Sequence, residues 1–314
     1  MLKVIQIFLN KPVIIIELFL IFFINTNSFS KNLYVNVDGE DTSVFSTITD
    51  AYNNSTDDST IYVGPGVYKC VFSSDLDYFP IKKRINLIGA GPQNSTLVNT
   101  IKIETPGVMI TGFTISSSNG SGIQLSINKY EGVGNLTVKN CIIINCQGSG
   151  VYIQSGTDNL IINNSILYNA HGISGSNAVV KSNIIAFSRK NGINGITKSY
   201  LSYNNVFKNF RENESFDNYE LSVGEISEDP LFIDMNSGNY ALQLSSPCKD
   251  AGVIGLPYID PDGTRNDIGA YGGPGSINFW PYIAGGPVVS EIFLNPRSVP
   301  KGSIINIKIK GMVR

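Results

Sequence analysis

Charge is scarce in this chain. Lys, Arg, Asp and Glu make up 15% of it, against about 25% in typical soluble domains. With a net charge of −2, it has no broad basic surface to neutralise a phosphate backbone, which argues against a nucleic-acid partner. His171 is the only histidine, so a histidine general base would have to be that residue. The four cysteines, Cys70, Cys141, Cys146 and Cys248, follow neither a metal-site spacing nor the pattern of a dense disulfide scaffold. After residue 30 no apolar run approaches the roughly 20 residues that cross a bilayer.

The first thirty residues differ from the rest. Lys3 and Lys11 precede or flank a run over 13–24 that is apolar except for Glu17, and Ser28 and Ser30 then give a small-x-small pattern. This is the layout of a secretory signal peptide cleaved near Ser30. The run is too short for an anchor. Residues 1–30 are therefore read as a signal peptide, and the mature chain as secreted or at the cell surface, with no membrane span after cleavage and monomeric.

The middle of the chain repeats itself. LTVKNCIIIN at 136–145, LIINNSILYN at 160–169, VVKSNIIAFS at 179–188 and the worn YLSYNNVFKN at 200–209 are copies of one unit, and Gly-Ile or Gly-Val follows most of them. Asn140, Asn164, Asn183 and Asn204 step at a solenoid period. Within a copy the apolar residues alternate at period two, which predicts strands, and no copy has room for a helix. Three short strands per copy, broken at the Asn and at the Gly, would stack coil on coil around a shared apolar interior. The Asn would form a hydrogen-bonded ladder and the Gly would turn a corner at positive φ. Cys141 and Cys146 share one copy, either as disulfide neighbours or as buried thiols. Ahead of the repeats, Phe45, Ile48, Ala51 and Tyr52 have helical spacing with Ser46 near the start as a cap, predicting a short helix that covers the open end.

These residues also carry a family resemblance. The stretch 45–52, IYVGPGVY at 61–68 and 85–91 look like the entry of pectin-lyase-like right-handed β-helix proteins, and the pattern over 140–193 is similar to their repeat. DPLF at 229–232, Asp250, Asp260, Asp262, Arg265 and DIGAY at 267–271 resemble the end that secreted members share. The resemblance implies an all-β, right-handed parallel β-helix solenoid over 31–275 with a short N-terminal capping helix. It leaves the function open, because this superfamily hosts lyases, hydrolases, epimerases, adhesins and scaffolds. The tail, 276–314, reads as two strands around PRSVPKG at 296–302, either the start of an immunoglobulin-like sandwich or a cap on the last coil.

In enzymes of this resemblance the site lies on the outer side of one parallel sheet and in the loops at its edges. Here that sheet is the one after the recurring Gly, with Gln124, Tyr152, Ser174 and Asn194 outward and Gln154 at one end. His171, Arg189 and Lys190 lie on the turn before it, and Lys129, Tyr130, Glu131 and Asp158 in the loop after it. Glu131 and Asp158 are the candidate carboxylate pair for glycoside hydrolysis, or else solvated turn residues. Arg189 and Lys190 are the candidate cations for lyase chemistry, or else solubilising charges. The matching strands lack the Asp cluster with which such lyases hold calcium, so no cofactor is expected unless the protein is a lyase, when calcium is. His171 before Gly172 resembles part of the Gly-His-Gly element of polygalacturonases, but Ala170 stands where the first Gly belongs. Asp260, Asp262 and Asp267 lack the Glu that a calcium loop needs, since residue 271 is Tyr; they are expected to bond backbone amides in a closing coil. The reading that follows is a module binding a polysaccharide or cell-surface glycan, or a structural one, through Gln124, Tyr130, Tyr152, Gln154, His171 and Asn194. The alternative is a polysaccharide lyase or glycoside hydrolase.

Overall fold

The computed structural model describes residues 30–36, 44–69, 77–127, 134–197, 200–213, 222–281, 287–294 and 307–313. Three parallel sheets run the length of the molecule, one of eight strands and two of seven. From Ser59–Val63 onward the chain visits them in strict rotation. Asn159–Ile162 belongs to the first sheet, Ser165–Leu167 to the second and His171–Gly175 to the third, and then Ala178–Lys181 returns to the first.

Register builds the core. On the first sheet Ile61, Leu87, Ile110, Val138, Ile161, Val180 and Leu201 lie one above another. On the second, Leu97, Ile115, Ile143, Ile166, Ile185 and Val206 do the same. Ile101, Ile123, Val151, Ile173 and Ile193 form the third column. All of these side chains are buried, each stabilising the fold by roughly 1.5–3 kcal/mol relative to exposure.

The asparagine ladder exists, with three of its four expected members. Asn164, Asn183 and Asn204 are stacked: Asn164 Nδ2 donates to Asn183 Oδ1 at 2.9 Å and Asn183 Nδ2 to Asn204 Oδ1 at 3.1 Å. The buried Glu225 ends the row by accepting from Asn204 Nδ2 at 3.1 Å. At the other end Cys141, not Asn140, occupies the ladder position, and its N–H donates to Asn164 Oδ1 at 3.0 Å. Asn140 belongs to the preceding column with Asn163, Ser182 and Tyr203, whose φ values are 49°, 52°, 51° and 55°. Asn tolerates this left-handed backbone better than most residues.

The recurring glycines play another part than the one read from the sequence. Gly122, Gly150, Gly172 and Gly192 are not among the positive-φ residues. Gly122, Gly150 and Gly172 are required by close packing. A Cβ on Gly172 would sit 2.3 Å from the Gly192 carbonyl oxygen and 2.4 Å from Ile185 Cγ2.

The short helix is Ile48–Asn53, and it buries Ile48, Ala51 and Tyr52. Thr47, not Ser46, caps it, accepting from the Asp50 N–H at 3.0 Å. Tyr52 seals it to the solenoid with its ring edge-on to Phe79 at 5.2 Å. No described helix is long and apolar enough to cross a membrane. Cys141, Cys146 and Cys248 are buried free thiols, each pushed up to about 12 by burial; Cys70 lies outside the described residues. The tail strands Pro287–Leu294 and Ile307–Val313 pair antiparallel.

The closing stretch does not form a closing coil. It runs back along the outside of the second sheet as a strap. Asn205 Nδ2 donates to the Glu228 carbonyl (2.8 Å), the Gly269 N–H to Ser182 O (2.9 Å), the Ala270 N–H to Ser165 Oγ (3.1 Å), and Asn140 Nδ2 to Gly272 O (2.7 Å). Phe279 then reaches Gly91, several coils lower. Ile142, Ile144, Leu167, Ile184 and Ala186 on the sheet pack with Phe232, Leu242, Ile268, Ala270 and Tyr271 of the strap in a second core. The sequence shows this in the unbroken Ile142-Ile143-Ile144 run, since a strand covered on both faces loses its alternation. As read, Asp260 and Asp267 bond backbone amides: Asp260 accepts from the N–H of Asp267 and of Gly273, and Asp267 from the Asp250 N–H at 2.8 Å. Asp267 also pairs with Lys249 Nζ at 3.2 Å.

Two outcomes are expected. Gly172→Ala should cost roughly 1–3 kcal/mol through overpacking, read from the urea midpoint at constant m-value. Burial, aided by the Asp267 charge, pushes the Asp260 carboxyl up to about 8, against the pull of its two backbone donors. An unfolded Asp titrates near 3.9, so as pH rises from about 4 to about 8 the unfolded state loses its proton first and stability falls. Asp267, also raised by burial, acts in the same direction. Urea titrations across that window should give a shallower decline for Asp260→Asn than for the wild type.

Candidate functional site

The strap closes off the outer side of the second sheet in the coils it crosses. The third sheet is the face on which the sequence placed its outward residues. Gln124, Tyr152, Ser174 and Asn194 stand opposite one another on successive strands, and Lys102 extends the row toward the amino end. Strands repeat at about 4.8 Å, so the row offers one side chain per coil along the long axis. Gln124, Tyr152 and Asn194 are half-buried. Ser174 departs from the expectation: it is buried, its hydroxyl 3.0 Å from that of Ser149. Gln154 is exposed at the strand's end, joined to Ser126 Oγ at 3.1 Å.

At the amino end the row becomes charged. Lys102 Nζ pairs with Glu104 at 2.6 Å and lies 4.9 Å from the centre of the Tyr78 ring, and Lys82 approaches Glu104 at 3.5 Å. The hydrogen bond to Glu104 raises the Lys102 ammonium above its ordinary value. Burial works against the Glu104 charge, but its partners Lys102 and Lys82 hold the carboxyl below the usual range. No motif in the sequence marked this cluster.

Among the described residues, the candidate reactive groups are not gathered into one place. His171 begins its strand, half-buried, and Arg189 and Lys190 are exposed on the turn between the second and third sheets. Asp158 lies at the opposite edge of the third sheet, exposed, with φ 57° and the Thr157 hydroxyl 3.0 Å from its carboxylate. By register Lys190 stands over Ala170 and Asp158 is level with Asn177. The intervening strand, at about 3.3 Å per residue, puts the two edges on the order of 20 Å apart. Arg189 is committed elsewhere, its guanidinium donating to the carbonyls of Tyr168 and Cys146, both at 2.9 Å, and so tying together three coils. Tyr130 and Glu131 lie outside the described residues. No three His, Cys, Asp or Glu side chains converge among the described residues, and the row itself carries none of them.

The carbonyl contacts of Arg189 imply a structural role. Arg189→Met should lower thermal stability, with a loss of about 1.5–3 kcal/mol for the charged hydrogen bonds, read as a shift of the unfolding midpoint.

Residues 94–224 match the sequence family described as the right handed beta helix region. Among solved structures, the crystal structure of pectate lyase Pel9A is similar over 77% of this chain and 96% of that one, at 10% identity and a TM-score of 0.46. No curated protein matches the sequence. The rotating three-sheet coils and the matched repeat region together show a right-handed parallel β-helix.

Proposed function

We propose that this is an exported β-helix module, monomeric, that binds an extended glycan along the outer face of the third sheet without cleaving it. One observation carries the reading. The face presents neutral hydrogen-bonding side chains, Gln124, Tyr152 and Asn194, in register on three of four successive strands, with the buried Ser174 between the last two, while Asp158 and the pair Arg189 and Lys190 sit at its opposite edges. A linear polysaccharide offers hydroxyl groups at a similarly regular interval. Tyr152 would stack on the apolar face of a sugar ring, an aromatic contact worth about 0.5–1.5 kcal/mol. Amides on either side would donate to and accept from its hydroxyls. Cleavage would require acid and base groups positioned across one bond, which the separation of Asp158 from Arg189 and Lys190 does not favour.

The test is a binding panel of neutral and uronate polysaccharides, with and without calcium, using affinity electrophoresis. Absorbance from unsaturated products and new reducing ends are followed in parallel. Retardation by at least one polymer, weakened about tenfold by Tyr152→Ala, with no product formed, is the expected result. Unsaturated product would replace this reading with a lyase, and reducing ends alone with a hydrolase. No retardation by any polymer would leave a scaffold.

A further inference from the structure

A recess lies away from the face just described, around the corner between the third and first sheets. Its volume is about 110 Å³, and Thr157, Asp158, Asn177, Ala178, Val179 and Tyr200 line it above Asn159. Its base is rigid. The buried Asn159 donates from Nδ2 to the carbonyls of Gly156 and Asn177, each at 3.0 Å, and accepts the Leu136 N–H at 3.1 Å. Asp158 and Asn177 occupy equivalent corners of successive coils, both with φ 57°, so they are held side by side by the coil geometry.

The lining is divided by chemistry. Val179 and Tyr200 follow one another on the outer side of the first sheet, since Val180 pairs with Leu201, and Tyr200 is 47% exposed. They form an apolar wall with an aromatic ring. Thr157, Asp158 and Asn177 supply a hydroxyl, a carboxylate and an amide on the other side. Water alone does not call for such a division, because it gains nothing from the ring. A pyranose matches it, having a C–H face that stacks on an aromatic ring and a rim of hydroxyls that donate to a carboxylate and exchange hydrogen bonds with an amide. At about 30 Å³ per water the volume admits a few waters or the inserted edge of one sugar ring, not a polymer strand.

We infer that this recess binds a single neutral sugar ring, at the end or on a branch of a glycan, with Tyr200 as the stacking group and Asp158 as the hydroxyl acceptor. The site is independent of the third-sheet row. Asp158 thereby acts in recognition and not in catalysis.

Saturation-transfer NMR with the methyl glycosides of glucose, galactose, mannose and N-acetylglucosamine tests it. Transfer to the ring C–H protons of at least one glycoside is expected with the wild type. Tyr200→Ala should weaken that binding about tenfold, the scale of one aromatic contact. Asp158→Asn, which keeps a residue type suited to the left-handed backbone, should also weaken it, and both effects should persist in a Tyr152→Ala background, which removes transfer from the third-sheet face. Because Tyr200 and Asp158 are both exposed, loss of fold is a minor concern, and circular dichroism of each variant checks it. Absence of transfer from all four glycosides overturns the inference, as does transfer that survives both recess substitutions in the Tyr152→Ala background. Polymer retardation lost in Tyr152→Ala alongside no glycoside transfer would sink the recess and keep the third-sheet face. Glycoside transfer lost in Tyr200→Ala alongside no polymer retardation would do the reverse.

Discussion

Stacking one coil on the next without leaving a buried polar group unpaired is the constraint on which this molecule depends. Strand backbones meet it along the sheets, but each corner breaks the ladder and leaves amides and carbonyls inside. The stacked Asn164, Asn183 and Asn204 restore the missing bonds: each side chain accepts the main-chain N–H of the coil before it and donates to interior carbonyls. Unmade, such bonds cost about 1–3 kcal/mol each. The coil spacing they fix brings Gly122, Gly150 and Gly172 so close to the neighbouring coil that a side chain has no room there.

Adjacent asparagines divide the work between inside and outside. Asn164 turns inward to the ladder, whereas Asn163, in the left-handed backbone just before it, donates to Asn266 Oδ1 at 2.8 Å and to the Asp267 carbonyl at 2.9 Å in the strap. Ser182 and Asn183 repeat the arrangement, with Ser182 Oγ accepting the Val253 N–H at 3.0 Å. One corner thus sets both the stacking of the coils and the fastening of the strap. Much of the outer face of the second sheet is covered in this way.

The third sheet itself illustrates what regularity can and cannot supply. A solenoid presents rows of like-placed side chains, which suits a ligand that also repeats. Convergence of unlike groups on one bond needs the rows to be interrupted, by long loops or by a change of register. Asp158 and Arg189 sit in unbroken register at opposite edges, and Arg189 is held on main-chain carbonyls. The recess beside Tyr200 arises where two corners and an exposed aromatic ring meet.

Much of this was legible in the amino-acid order. Period-two alternation in copies of about twenty residues specifies short stacked strands, because no other arrangement buries one face of every strand in so short a repeat. The outward row of Gln124, Tyr152 and Asn194 follows from the same alternation. Tertiary structure alone decided the rest. The sequence does not tell whether Asn140 or Cys141 faces inward, since a one-residue shift of register reverses every side chain. Nor does it tell that the glycines answer to a neighbouring coil and not to their own φ. The path of 226–281 back over the second sheet, and the separation of Asp158 from Arg189, are contacts between residues far apart in the chain. Local pattern carries no information about them, because what fixes them is the packing of one finished surface against another.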